Sequence, residues 1–202
     1  MRVERHGEPA RPSAYRRVAA ALLRLRLVQR VRGLLATPMR ATDVAEVIDA
    51  LELAGLEAWV AGGWGVDMLV GAQTRKHLDL DLVVSDLELT RAAQVLDKIG
   101  FRERDRQVLE TAELSLSIAF RDDARRRVDL HPVDLGAFPS SSADLDVDAP
   151  WVHGSLEGRP VRCLSAVVQL VLHQHYELRY YEHRDVALLH AHVSRSARRQ
   201  DS

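Results

Sequence analysis

The chain has 202 residues, of which 47% are hydrophobic and 28% are charged, as is typical of one globular domain with or without a small appendage. No stretch approaches the roughly 20 apolar residues of a membrane span, and the first residues lack a signal-peptide apolar run, so we expect a soluble cytoplasmic protein with no membrane partner. The single cysteine, Cys163, excludes an internal disulfide and a cysteine-rich zinc site.

Charge is unevenly distributed, although the formal net charge is only -1. From Ala10 to Thr42 there are eight Arg and no Asp or Glu, whereas residues 43–202 carry 18 Lys and Arg against 27 acids. A basic arm therefore precedes an acidic body. Basic arms can bind nucleic acid, but an acidic body repels a polyanion. We favour an arm that forms a helix docked on its own acidic domain.

Hydrophobic periodicity and helix-breaking residues predict the elements of the first half of the chain. A helix at 13–35 is followed by a second one that Thr42 or Asp43 caps and Gly55 ends. The apolar stripe of this second helix comprises Val44, Val47, Ile48, Leu51 and Leu53. The elements that follow are a strand at 56–61, a Gly62-Gly63 turn, a helix at 64–70 closed by Gly71, a strand at 78–84 and a helix at 87–99 capped by Asp86 and ended by Gly100.

The second half of the chain is predicted to begin with strands and to end with helices. Its elements are strands at 101–109, 113–120 and 126–132 with a turn at 121–124, a loop or lid at 136–150, a hairpin at 152–163 around Gly158, and helices at 165–177 and 184–194. The complete order indicates the α/β class, with a mixed sheet that carries helices and a short helical segment at the end.

Asp79 and Asp81 are the residues that carry the most chemical information. Side chains two apart in a strand point to the same face, so these carboxylates are expected side by side, with Leu78, Leu80 and Leu82 on the other face. Such close like charges are unfavourable unless a cation lies between them. Magnesium is the natural cation, since it prefers carboxylate oxygens and substrate phosphates.

A third carboxylate, Asp129, lies in another alternating strand, Arg127-Val128-Asp129-Leu130-His131. It could face the same pocket and complete a two-metal site, in which bound ions bridge an attacking and a leaving oxygen. His131 is expected on the same side of the strand as Asp129 and is a candidate substrate contact. The alternative is that the three Asp side chains are solvated on an exposed sheet face.

Two further segments suggest phosphate binding. Gly62 and Gly63 follow a strand and precede a helix, where glycine lets the backbone approach a phosphate and the helix N-terminus offers free N–H groups. Arg75 and Lys76 lie between this segment and the acidic pair, and their charges could neutralise a triphosphate. An ordinary turn and a solvated loop are the plain alternatives.

These motifs resemble a known family. The run Ala61-Gly62-Gly63-Trp64-Gly65-Val66-Asp67, then Gly71, then Thr74-Arg75-Lys76-His77-Leu78-Asp79-Leu80-Asp81, is similar to the lincosamide and aminoglycoside nucleotidyltransferases, which have the DNA polymerase β-like catalytic fold. Residues 158–165 with His173, Tyr176, Glu177 and Asp185 resemble the family's second block. The likeness covers roughly residues 42–193 and leaves the basic arm outside.

The resemblance implies roles for individual residues. Asp79 and Asp81 would bind Mg2+, Asp129 would complete the metal site or act as general base, and Gly62, Gly63, Arg75 and Lys76 would bind the nucleotide. Tyr176, Glu177 and His131 are the substrate candidates. The chain departs from the family pattern at His175, where Gly is usual, and at Glu182, where Asp is usual.

The reaction implied is transfer of a nucleoside monophosphate, AMP from ATP or the equivalent group of another nucleoside triphosphate, to a hydroxyl of a small molecule such as an aminoglycoside or lincosamide antibiotic. One alternative is a nucleotidyltransferase of the toxin–antitoxin type that modifies a protein or RNA. Another is a nucleotide-binding protein without activity. The absence of a His-Glu-x-x-His motif argues against a zinc hydrolase.

The charge pattern, the predicted elements and the resemblance together divide the chain into parts. A basic helical arm spans 1–40, a catalytic domain 41–150, a C-terminal hairpin and helices 151–195, and a disordered tail 196–202. Because the C-terminal segment is small to enclose a substrate alone, we expect that two chains could form a homodimer and share a cleft.

Overall fold

The fold is known from a computed structural model that describes residues 37–108, 116–138, 150–174, 180 and 182–200. The predicted helix at 13–35, and with it most of the basic arm, lies outside the described residues. The described helices are α1 (Ala41–Leu53), α2 (Gly62–Val70), α3 (Leu89–Lys98), α4 (Ala166–Gln174) and α5 (Glu182–Gln200). The strands are β1 (Ala58–Ala61), β2 (Leu80–Ser85), β3 (Arg102–Val108), β4 (Leu116–Arg121), β5 (Arg127–Val133), β6 (Trp151–Leu156) and β7 (Arg159–Leu164).

The described strands form one seven-stranded sheet in the order β3-β4-β5-β2-β1-β7-β6. Strand β2 pairs in parallel with β5 and antiparallel with β1, and β7 lies parallel to β1. The predicted mixed α/β sheet is therefore confirmed. The hairpin of β6 and β7 belongs to this same sheet, so the sheet continues across the domain boundary expected at residue 150.

Apolar side chains pack on both faces of the sheet. On one face Leu80 and Leu82 of β2 lie in a buried cluster with side chains from α1, α2 and α3. On the other face Val83 of β2 packs with Trp59 and with Val168 of α4. Because successive strand residues point to opposite faces, β2 contributes to both layers and is buried at the centre of the molecule. Among the described residues no helix is both long and apolar enough to cross a membrane.

Several predicted features of the first half needed correction. Leu53 is 90% exposed and does not belong to the apolar stripe of α1, because it lies two residues after the buried Leu51 and so faces the other side of the helix. Gly62 and Gly63 do not form a separate turn, since they are the first two residues of α2. Asp86 is not the capping residue of α3, because it begins a short 3-10 turn at Asp86–Glu88 and the capping position of α3 is Glu88.

The start of α1 also differs from the prediction. The capping position is Arg40, and Asp43 lies in the first turn, where its carboxylate accepts the Arg40 backbone N–H at 2.8 Å. At the other end of the chain α5 continues through Gln200, so residues 196–200, expected to be disordered, are helical. The Cys163 thiol is buried as predicted, and burial raises its pKa to about 12.

The loop between α2 and β2 carries Asp79 and is fastened to α2 through Asp67. The Asp67 side chain is 3% exposed and accepts hydrogen bonds from the Thr74 hydroxyl at 2.6 Å and the Thr74 backbone N–H at 3.1 Å. The ring of the buried His77 contacts the other Asp67 oxygen. This network fixes the loop on both sides of Arg75 and Lys76 before the chain enters β2.

We expect Thr74→Val to lower the free energy of unfolding by about 1–2 kcal/mol, because it removes a hydroxyl donor from a buried carboxylate while keeping the side-chain shape. Thr74→Ser keeps the hydroxyl and should lose clearly less. Urea denaturation followed by circular dichroism measures both. No loss in Thr74→Val together with a loss in Thr74→Ser would show that the methyl group, and not the hydrogen bond, stabilises the loop.

Candidate active site

The two acidic side chains predicted to lie together on neighbouring strands do so. In the parallel pairing of β2 with β5, Asp81 is directly opposite Asp129. Asp79 lies one residue before the first residue of β2, so it belongs to the end of the loop and not to the strand itself. Leu80 and Leu82 are fully buried on the opposite face as predicted, whereas Leu78 is 39% exposed. The acidic residues thus gather where β2 begins.

The N-terminus of α2 comes into close contact with Asp81. Gly62 has a φ of +58°, and a Cβ atom built there would lie 2.2 Å from an Asp81 carboxylate oxygen. A Cβ atom on Gly63 would lie 2.3 Å from His77 Nδ1 and 2.5 Å from Arg75 Nη2. A side chain at either position would therefore displace a residue of the loop or the acidic pair. This close approach accounts for the two successive glycines in the sequence.

Asp129 is buried, and its negative charge lies close to that of Asp81. Its side chain is 7% exposed, and its Oδ1 accepts a hydrogen bond from Arg127 Nε at 2.8 Å. Burial and the neighbouring Asp81 carboxylate raise the pKa of Asp129, and the positive charges of Arg127 and His131 oppose this shift. Such a raised pKa suits a carboxylate that accepts a proton during a reaction.

His131 lies on the same side of β5 as Asp129, as predicted, and contacts Asp81. Its Nε2 is 3.1 Å from Asp81 Oδ1, and the ring is buried. Burial lowers the pKa of His131. The hydrogen bond to Asp81 and the charges of Asp81 and Asp129 together raise it by more than burial lowers it, so the net shift is upward. A protonated His131 would hold the Asp81 carboxylate in position.

Arg75 and Lys76, expected to bind phosphate, have different surroundings. The Arg75 guanidinium forms an ion pair with the buried Asp185 of α5, with an Nη2–Oδ2 distance of 2.6 Å and an Nε–Oδ1 distance of 3.2 Å. Lys76 is exposed. The ion pair joins the Asp79 loop to the C-terminal helix across 110 residues of sequence.

The C-terminal candidates are only partly covered by the structure. Tyr176 and Glu177 lie outside the described residues. His173 at the end of α4 is close enough to Asp185 and Glu182 for their charges to act on it. Burial lowers the pKa of His173, and the carboxylates of Glu182, Asp185 and Asp81 oppose this effect. The C-terminal helices therefore border the acidic centre.

One residue of the site was not recognised in the sequence. Arg127 lies within the fields of Asp129, Asp79 and Asp81, whose charges raise its pKa against the effect of burial. The signal was available in the sequence, because Arg127 and Asp129 are two apart in an alternating strand and so share a face.

Asp79 and Asp81 form a set of oxygen donors that fits a divalent cation. Among the described ranges, no three His, Cys, Asp or Glu side chains are arranged as a complete metal site. Mg2+ commonly takes only one or two protein carboxylates and fills its other positions with water and substrate phosphate oxygens. Asp79 and Asp81 provide two carboxylates, and the effect of Asp81 on the pKa of Asp129 shows the repulsion that a cation would relieve. The residues present fit such an ion.

Comparison with known proteins gives a consistent relationship. The family model described as aminoglycoside-2''-adenylyltransferase matches residues 43–189. A lincosamide resistance protein of Staphylococcus haemolyticus is 25% identical over 147 residues, covering 69% of this chain and 88% of that protein. A 2''-aminoglycoside nucleotidyltransferase of Escherichia coli is 26% identical over 126 residues, covering 61% of this chain and 67% of that protein.

Solved structures share the fold. A lincosamide antibiotic adenylyltransferase with bound lincomycin superposes with a TM-score of 0.59 at 22% identity, covering 76% of this chain and 98% of that one. An aminoglycoside enzyme, ANT(2")-Ia, in complex with adenylyl-2"-tobramycin has a TM-score of 0.60 at 20% identity, covering 74% and 86%. Because the family model spans residues 43–189, the chain belongs to the aminoglycoside-2''-adenylyltransferase family and is a nucleotidyltransferase.

Proposed function

We propose that the protein transfers AMP from ATP to a hydroxyl group of an aminoglycoside or lincosamide antibiotic, with Mg2+ as cofactor. The observation that carries this proposal is the direct pairing of Asp81 with Asp129 in the register of β2 and β5, with Asp79 at the start of β2. The names of the relatives, lincosamide and aminoglycoside nucleotidyltransferases, support the choice of acceptor.

The proposed reaction is a single displacement at the α-phosphorus of ATP. The acceptor oxygen forms a bond to the α-phosphorus of ATP, the bond from that phosphorus to the bridging oxygen of the β-phosphate breaks, and pyrophosphate leaves. Bound by Asp79 and Asp81, Mg2+ would lower the pKa of the attacking hydroxyl and neutralise the leaving group. Asp129 takes the proton of the hydroxyl, for which its raised pKa is suited.

The other residues of the site act by positioning. His131 holds Asp81 through a contact of 3.1 Å. The Arg75–Asp185 ion pair and the Asp67–Thr74 hydrogen bonds hold the loop that ends at Asp79. Since phosphoryl transfer depends mainly on positioning and charge neutralisation, small displacements of these carboxylates would reduce the rate strongly.

The first test is magnesium-dependent release of pyrophosphate from ATP with a panel of aminoglycosides and lincosamides. We expect release with at least one acceptor, and a fall of about a thousandfold or more in Asp81→Asn and in Asp79→Asn, because each removes a charged metal ligand. Asp86→Asn, an exposed carboxylate just beyond β2, is the matched control and should keep full activity. No release with any acceptor would contradict the proposed substrate class, and full activity of Asp81→Asn would contradict the site.

A second test separates the activity of Asp129 from its effect on stability. The pKa of Asp129 is raised in the folded protein, so the folded state binds this proton more tightly than the unfolded state does. The charged carboxylate therefore destabilises the protein at neutral pH, and this cost disappears as the pH falls through the folded pKa to below the unfolded value of about 3.9.

We expect Asp129→Asn to lower activity by about 100-fold or more while raising the thermal stability of the metal-free protein at pH 7. The gain in stability should shrink as the pH is lowered from 7 toward 4.5. Thermal melts in a chelating buffer across this pH range measure it. A variant less stable than the wild type at pH 7 would show that the attraction of Arg127 outweighs burial and the Asp81 repulsion.

A further inference from the structure

Arg127 is a cation beside the proposed reaction centre, bonded to Asp129, and it has no assigned role. It is the first residue of β5, and its side chain lies on the same face as Asp129, to which Nε donates a hydrogen bond of 2.8 Å. The Arg127 side chain is 29% exposed, whereas that of Asp129 is 7% exposed. The guanidinium therefore covers a buried carboxylate and is itself reachable from solvent.

Most of the hydrogen-bonding capacity of Arg127 is unused within the described residues. A guanidinium has five N–H donors, and in these residues only Nε of Arg127 has a hydrogen-bond partner. The four N–H groups on the two terminal nitrogens are left. A planar group with spare donors beside a carboxylate cluster has the geometry that binds phosphate oxygens in pairs.

Arg75 offers no comparable capacity. Its Nε and Nη2 both bond to Asp185, its Nη1 bonds to the carbonyl of Lys76, and Asp185 is 2% exposed. Removing Arg75 from this pair would leave a buried carboxylate without its counter-charge, which is strongly unfavourable. Arg127 is joined to Asp129, which is also buried, by a single hydrogen bond, so fewer hydrogen bonds break when it exchanges its partner.

The Arg127–Asp129 pair conflicts with the role of Asp129 in the proposed reaction. A carboxylate oxygen that accepts a hydrogen bond from an arginine binds a proton less readily, and the same positive charge opposes a metal ion nearby. Asp129 therefore becomes a stronger base once Arg127 has moved away. The incoming triphosphate supplies the negative charge that would draw it away.

We propose that Arg127 is a phosphate-binding residue that acts as the counter-ion of Asp129 in the nucleotide-free protein and transfers its hydrogen bonds to the triphosphate when ATP binds. This inference rests on the proposed function. No covalent bond changes in the exchange, and the positive charge of Arg127 stays in the site throughout. Nucleotide binding would thereby release the base that the reaction needs.

The test compares Arg127→Gln, Arg127→Lys and Arg125→Gln in two binding titrations by calorimetry. The first ligand is Mn2+ alone, and the second is a non-hydrolysable ATP analogue with Mg2+, with adenosine as a probe that lacks phosphate. Arg125→Gln is the matched control, since it removes the same charge from an exposed residue of the preceding turn. It should leave every affinity within about twofold of the wild type.

For Arg127→Gln we expect opposite changes. Mn2+ should bind about tenfold more tightly, because a positive charge next to the carboxylates is gone, and the ATP analogue should bind about tenfold more weakly, because a phosphate donor is gone. Adenosine should bind as in the wild type. Arg127→Lys keeps the charge, so its Mn2+ affinity should stay near the wild-type value while the ATP analogue binds several-fold more weakly.

The opposite signs distinguish this role from a structural one. Weaker or unchanged Mn2+ binding in Arg127→Gln, or unchanged binding of the ATP analogue, would overturn the proposal. If Arg127→Gln does not fold, Arg127→Lys decides, since unchanged affinity for the ATP analogue would overturn the proposal and a selective loss would support it. A wild-type protein that binds neither Mn2+ nor the analogue would instead contradict the proposed function, and this inference with it.

Discussion

The parallel pairing of β2 with β5 is the constraint on which the site depends, because it sets Asp81 directly beside Asp129 in the interior of the sheet. Carboxylates this close repel each other, and Asp129 is also buried, so the fold must supply positive charge nearby. Strand β5 supplies it on the face that carries Asp129. Arg127 lies two residues before Asp129 and bonds to it, and His131 lies two residues after it and bonds to Asp81. The five residues 127–131 thus contain Asp129, the arginine that pairs with it and the histidine that bonds to Asp81.

The elements around this pair limit how the acidic centre can vary. Helix α2 starts so close to Asp81 that Gly62 has no room for a side chain, and its positive φ suits glycine. One turn further, Asp67 fastens the loop that leads to Asp79. Helix α2 therefore contacts the Asp81 carboxylate directly and positions Asp79 through the loop. Its position in turn follows from the apolar contacts of Trp64 and Met68 with the sheet.

Sequence reasoning recovered what local pattern encodes. Alternation placed Asp81 and Asp129 on strands with their apolar neighbours in the core, and Gly71 ended α2 as expected. It could not recover long-range partners, because nothing local indicates that Arg75 pairs with a helix 110 residues away. The assignment of Arg75 to phosphate stays a prediction, and the spacing of Arg127 from Asp129 is the local signal for the site residue that sequence reasoning missed.

The Arg75–Asp185 ion pair has a consequence for how the protein is made. Chains emerge from the ribosome N-terminus first, and the strands that carry Asp81 and Asp129 are complete well before α5 is synthesised. The loop that ends at Asp79 therefore lacks its Asp185 partner until α5 has been synthesised and packs. During synthesis β2 and β5 can therefore pair first, and the loop beside them gains the Arg75–Asp185 ion pair only afterwards.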